Sequence, residues 1–235
     1  MWTLKVTTAG VLVSLFHYAG LVVIAIGVAG VGFWFRRPND RQIDAWIQED
    51  LADVEQRALA KSCLDKSELT GESIIFYTPR IWDIAGAAVG LKRGQDNKVR
   101  FMPLGITVIL FTDRTLVVYQ SVLDLSTGNY LNEGFDSFFY KDVVGVGAKA
   151  KAQAYDAKTL SKSMRDHPAI KEKIVDGVLQ LNEAELFELT TTAGNSVSIM
   201  VREPTLIDAA GGGEIPSTKV GDAIRVINAT LRIHK

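Results

Sequence analysis

The 235-residue chain contains few of the residues that build disulfides or metal centres. It has one cysteine, Cys63, and three histidines, His17, His167 and His234. A single cysteine excludes an intrachain disulfide and a cysteine-based zinc cluster. The three histidines are widely separated in the sequence, so no metal-ligand spacing appears. We therefore expect no metal and no other cofactor.

The sequence also lacks a charge excess and the common catalytic motifs. Its formal net charge is -1, which gives no general reason to expect a nucleic-acid partner. No GxSxG elbow, no GxxxxGK[ST] loop and no GxGxxG after a strand is present. The glycines at 211–213 are not followed by the lysine of a phosphate loop, so they predict a flexible connector. We expect a protein that is not an enzyme.

One long hydrophobic run is present, and it contains no charged residue from position 10 to 35. About 20 such residues are enough to cross the hydrocarbon core of a bilayer as a helix. Trp34, Arg36 and Arg37 end the run with the residue types found at lipid headgroups. These features predict a transmembrane anchor over 1–37, with the three residues in contact with lipid. A cleaved signal peptide is the alternative.

The distribution of positive charge predicts the orientation of this anchor. Basic residues are more frequent after the run than before it, which places the N-terminus outside and the C-terminal domain in the cytoplasm. The prediction is thus a single-pass membrane protein. Small residues in the run favour close helix packing, through self-association or with another membrane-complex subunit, although glycine and alanine are also common in membrane helices. The predicted helix-packing residues are Gly20, Ala25, Gly27, Ala29 and Gly32.

The remaining sequence predicts an α+β protein. Apolar residues recur every three or four positions from Ile43 to Ala58, which predicts an amphipathic linker helix within 38–71. From 72 to 235, alternating apolar runs separated by short turns predict an antiparallel meander. Helical spacing returns over 217–234, and we expect this last helix to cap the open end of the sheet.

Four segments, 106–120, 138–146, 186–201 and the final helix, carry a resemblance to a known fold. Their order of strands and turns before one C-terminal helix resembles that of bacterial membrane-associated pleckstrin-homology-like (PH-like) domain proteins. The resemblance implies an antiparallel β-barrel or sheet capped by the C-terminal helix, and a binding or assembly module. It also implies that the membrane is a bacterial inner membrane. The loop at 112–114 holds a single basic residue, Arg114, whereas phosphoinositide-binding members carry several there.

A basic segment at 149–176 is predicted as an insertion in the PH-like domain. Tethered near an anionic leaflet, it could contact lipid; the alternative is a mobile, solvated insertion. The candidate lipid contacts are Lys149, Lys151, Lys158, Lys162 and Arg165. The functional prediction is a membrane-anchored, non-catalytic scaffold or adaptor that docks with itself or with another membrane-complex subunit. The alternative function is a peripheral sensor of anionic lipid.

Overall fold

The computed structural model describes residues 39–80, 89–160, 162–214 and 220–234. Six α-helices lie in these ranges: α1 Asp40–Ala52, α2 Val54–Ser62, α3 Lys162–Arg165, α4 Pro168–Lys171, α5 Pro204–Ala209 and α6 Val220–His234. Ten strands are β1 Ile74–Pro79, β2 Gly90–Arg93, β3 Val99–Met102, β4 Leu104–Phe111, β5 Thr115–Asp124, β6 Asn129–Phe139, β7 Val143–Asp156, β8 Ile174–Val175, β9 Val178–Thr191 and β10 Ser196–Arg202. Short 3-10 helices cover Lys66–Glu68, Tyr140–Asp142 and Ala157–Thr159.

The strands form two antiparallel sheets and one separate hairpin. Sheet 1 has the order β1-β4-β5-β6, and sheet 2 has the order β10-β9-β7, with β8 paired to β9. β2 and β3 pair only with each other among the described strands. The tight turn predicted at 112–114 is confirmed, because β4 and β5 pair from Phe111 opposite Leu116 to Leu104 opposite Leu123. Antiparallel pairing and the C-terminal helix are thus confirmed. The strands do not form one continuous meander, because β1 pairs with β4 and because β6 and β7 belong to different sheets.

Sheet 1 is buried on both faces, which explains the continuous apolar sequence of β4 and β5. Successive side chains of a strand point to opposite faces of the sheet. One face, which includes Val108 and Leu110, packs against Val54 and other residues of α1 and α2. The opposite face packs against sheet 2 and α6 in a core that contains the following residues from five elements: Phe76, Ile109, Val118, Phe187 and Ile227.

The region predicted as one linker helix within 38–71 contains two consecutive helices, and the second ends at Ser62. α1 ends at Ala52 and α2 begins at Val54, and Cys63 ends α2 in a left-handed conformation with φ of 55°. Arg100 attaches α1 to the β2–β3 hairpin: its Nε and Nη2 each donate to one Asp44 carboxylate oxygen at 2.8 Å. Because both oxygens are engaged, this ion pair also fixes the orientation of the guanidinium.

Glu133 on β6 attaches α2 to sheet 1. Its side chain is 11% exposed and accepts hydrogen bonds from Arg57 Nε and, at 2.7 Å, from Lys61 Nζ. The Tyr119 hydroxyl donates to the same carboxylate at 3.0 Å. Burial disfavours the charged carboxylate, but these hydrogen bonds outweigh burial and lower the pKa of Glu133 from 4.5 to about 2.

We expect the replacement Glu133→Gln to lower the free energy of unfolding by about 1–2 kcal/mol at pH 7, after allowance for solvent screening of the two exposed cations. A lowered folded-state pKa stabilises the fold above pH 4.5, and this contribution is lost as the pH falls toward 2. Urea unfolding of both proteins between pH 3 and 7 measures the effect. The difference in the free energy of unfolding between Glu133→Gln and the wild type should shrink at acid pH. The control Asp136→Asn, at an exposed position of the same strand, should have the same free energy of unfolding as the wild type at every pH. A pH-independent difference would contradict the assignment.

The predicted basic insertion is folded. Its first residues extend β7 to Asp156, and the following helices cover a third core. Leu160, Met164 and Ile170 are each at most 5% exposed in this core, where they meet residues of β9 and α5. The segment therefore contributes a packed layer on sheet 2.

The glycine-rich segment 211–214 makes specific contacts, against the prediction of a flexible connector. Val99 N donates to Glu214 O at 2.7 Å, and Glu214 N donates to Asn97 O at 2.8 Å. Arg93 Nη1 donates to Gly211 O at 3.0 Å. These bonds join the segment to the β2–β3 hairpin.

The predicted membrane architecture is corrected. Within the described ranges, no helix has both the length and the apolar character needed to span a bilayer. The longest, α1 and α6, have 13 and 15 residues and carry charged faces, whereas about 20 apolar residues are needed. The predicted anchor at 1–37 lies outside the described residues. The fold class is therefore α+β with antiparallel sheets and a C-terminal helix. The described fold does not support the predicted single-pass inner-membrane protein with an outside N-terminus and a cytoplasmic domain.

Candidate functional site

A groove of about 820 Å³ runs along β1, and we call it the β1 groove. Its floor is formed by β1 from Ile74 to Tyr77. Leu51 and Ala52 of α1 form one wall, and residues of α6 form the other. The volume is within the range of about 300–1,000 Å³ that is usual for ligand pockets.

The floor of the groove is the edge of a sheet. β1 pairs with β4 on one side, and no other described strand pairs with it. Thr78 and Pro79 at its C-terminal end line another pocket together with residues of β10, and the half that begins at Ile74 lines the β1 groove. An edge strand presents backbone N–H and C=O groups that have no partner in the sheet. The β1 groove therefore contains main-chain donors and acceptors as well as apolar side chains.

One stripe of α6 forms the second wall. Ala223, Val226, Thr230 and Ile233 line the groove, and their spacing of three, four and three residues places them along one side of the helix. From Asp222 to His234 the helix rises about 18 Å at 1.5 Å per residue. An extended segment of about five residues, at about 3.3 Å each, has the same length.

The walls expose apolar side chains that the core does not use. α6 contributes Val220, Ala223, Ile227 and Leu231 to the core. Val226 and Ile233 lie outside that buried set and are 43% and 80% exposed. Ile75 on the floor is 37% exposed. Exposed apolar side chains that share one concave surface are typical of an interaction site.

Tyr140 fixes one end of the groove. Its hydroxyl donates to Thr112 O at 2.8 Å, and its ring stacks on the His234 ring with 4.5 Å between centroids. Burial raises the pKa of Tyr140 to about 12, so the hydroxyl stays a donor. Thr112 pairs with Leu69 just before β1. The C-terminal end of α6 is thus held beside the N-terminal end of β1, and the groove is preformed.

The sequence did not predict this site, although one signal for it was present. Val226 and Ile233 are apolar residues outside the main buried stripe of α6, and such a second stripe indicates a further contact. Ile75 and Phe76 are neighbours in an apolar run that is typical of a fully buried strand. Only the sheet order shows that β1 is an edge strand.

The candidate residues of the predicted anchor lie outside the described residues. They are the helix-packing positions Gly20, Ala25, Gly27, Ala29 and Gly32 and the lipid-contact positions Trp34, Arg36 and Arg37. Self-association through the small-residue face consequently stays a prediction.

The predicted basic lipid contacts lie away from the β1 groove. Lys149 and Lys151 are on β7, and their Nζ atoms lie 3.2 and 3.8 Å from Glu188 carboxylate oxygens. Lys158 is exposed in the 3-10 helix Ala157–Thr159. Lys162 and Arg165 are on α3 beside the third core. None of the five lines the β1 groove.

In the part of the chain that the structure describes, no three His, Cys, Asp or Glu side chains are grouped closely enough to hold a metal ion. Cys63 is exposed. That the protein has no catalytic activity and no cofactor stays a prediction.

Comparisons with family models, with curated proteins and with solved structures found no match to this chain. The PH-like resemblance accordingly stays a prediction.

Proposed function

We propose that this domain is a non-catalytic docking module, a scaffold or adaptor that binds an extended segment of a partner protein in the β1 groove. The observation that carries the proposal is the accessible edge of β1 at the floor of an apolar groove. Addition of a strand to such an edge is a general mode of peptide recognition.

Main-chain hydrogen bonds to β1 would supply affinity that depends little on the partner sequence. Specificity would come from the two walls, because side chains of an extended segment alternate in direction. One set of partner side chains would face Leu51 and Ala52, and the other would face Val226 and Ile233. Apolar residues at alternate positions are therefore the expected recognition pattern.

The replacement Thr230→Arg tests this proposal because position 230 lies midway along the α6 wall and its side chain is accessible. A displayed library of random nine-residue peptides is selected on the full chain, and binding of the enriched synthetic peptides is measured by fluorescence polarisation. We expect Thr230→Arg to weaken binding at least tenfold, because the long side chain would occupy the groove. The matched control Ala229→Arg places the same side chain at an exposed position of α6 that does not line the groove, and it should leave affinity unchanged.

Hydrogen exchange provides a second test of the binding mode. Bound peptide should slow exchange of backbone amides within Ile74–Tyr77, since the accessible amides of an edge strand become hydrogen-bonded when a strand is added. Equal loss of binding in both arginine variants would contradict the proposal. So would selected peptides that leave β1 exchange unchanged.

A further inference from the structure

The charged residues of the β1 groove are acidic. Glu72 and Asp222 are among its lining residues, and none of the described lining residues is a lysine or an arginine. Asp222 already has a cation, since Arg225 Nη2 lies 3.2 Å from its Oδ1. Glu72 is exposed and forms no ion pair with the described residues. The two carboxylates therefore differ in their capacity to accept a cation from a ligand.

Glu72 lies at the end of the groove that Tyr140 fixes. It directly precedes Ser73, whose hydroxyl donates to Glu55 at 2.9 Å, so a second carboxylate lies close by. His234 lines the groove and stacks on Tyr140, which places the C-terminal end of α6 here. The C-terminal end of a helix carries a partial negative charge. Of the two basic residues in the last turn of α6, Arg232 is not a lining residue, and His234 is stacked on Tyr140.

These charges give the groove a polarity. The end beside Glu72 combines this lining carboxylate, and the nearby carboxylate of Glu55, with a helix C-terminus; apolar side chains occupy the middle. A partner segment with an acidic residue at that end would be repelled, whereas a basic residue would gain an ion pair. Complementary charge of this kind selects among partners and fixes their register.

We infer that the partner segment of the β1 groove carries a lysine or arginine beside Glu72, adjacent to its alternating apolar residues. This inference rests on the proposed strand-addition function and names the chemistry of its ligand. The occupant is thus an extended basic-apolar protein segment of about five residues.

The same peptide selection tests the inference. Groove-dependent peptides, defined by their loss on Thr230→Arg, should share a basic residue at a fixed offset from the apolar positions. We expect Glu72→Gln to weaken their binding about two- to fivefold, the effect of one exposed ion pair. The matched control is Asp136→Asn, which removes one exposed carboxylate that does not line the groove, and it should leave affinity unchanged.

A double-mutant cycle assigns the contact. Replacing the basic peptide residue by glutamine should weaken binding to the wild-type chain as much as Glu72→Gln does, and it should have no further effect on Glu72→Gln. Additive losses, or groove-dependent peptides without a shared cation, would overturn the inference and leave strand addition standing. If no groove-dependent peptide is enriched, both proposals fail.

Discussion

Replacing Phe187 by alanine is expected to lower the free energy of unfolding by about 3–5 kcal/mol. Phe187 on β9 is 1% exposed, and its ring centroid lies 5.4 Å from that of Phe76 on β1. The two rings connect sheet 2 to sheet 1 within the core that also contacts α6. The truncation removes apolar contacts and leaves a cavity that two hydrogen-bonded sheets can fill only in part.

Thermal and urea denaturation measure this effect. The melting temperature should fall by roughly 10 °C, because a domain of this size loses about 2–4 °C per kcal/mol. The control Phe187→Leu keeps most of the apolar volume and should cost less than about 1.5 kcal/mol. If the two variants lose the same stability, the ring contact is not what joins the sheets.

Gly213→Ala is expected to destabilise the domain by more than about 2 kcal/mol. Gly213 has φ of +126°, a conformation that is strained for a residue with a side chain. A Cβ atom at this position would lie 2.7 Å from Asn97 O and 3.1 Å from Val99 Cγ2. The first of these atoms belongs to the backbone of the hairpin turn, which accepts a hydrogen bond from Glu214 N and cannot easily move.

Gly211→Ala is the matched control for the crowding at position 213. Gly211 has φ of +88°, but a Cβ atom there would meet no atom within 4 Å. This variant should lower the free energy of unfolding by only about 1–2 kcal/mol, which is the penalty for the left-handed backbone conformation alone. Denaturation midpoints of the two variants separate the effects. Equal midpoints would show that the approach of the 211–214 segment to the hairpin adds nothing to stability.

The sequence predicts well the elements whose signals are local. Residues 106–120 carry two apolar β-branched runs around a short polar turn, and this pattern determines the β4–β5 hairpin without distant contacts. α6 follows from its spacing of apolar residues, and its described range, Val220–His234, lies within the predicted helix at 217–234.

Elements that depend on distant contacts were not predictable in the same way. β2 and β3 have four residues each, too few for a clear periodicity, and they are joined to Glu214 more than a hundred positions away. The sequence of the basic segment 149–176 is typical of a solvated loop. Its buried residues, such as Met164 and Ile170, are few and are separated by charged residues. The β1 groove depends on the order of strands in sheet 1, which no local pattern encodes.

The outer edge of β7 shows how an incoming strand could be directed to one edge in preference to another. Among the described strands β7 has no neighbour on that side, so its backbone groups there have no partner in the sheet. Lys149 and Lys151 lie on β7 with side chains 67% and 61% exposed. Pairing of a neighbouring chain with this edge would remove water from both ammonium groups, which costs free energy. Such lysines discourage uncontrolled polymerisation along a sheet. The floor of the β1 groove from Ile74 to Tyr77 carries no charged side chain, so removal of water from charged groups would not oppose pairing there.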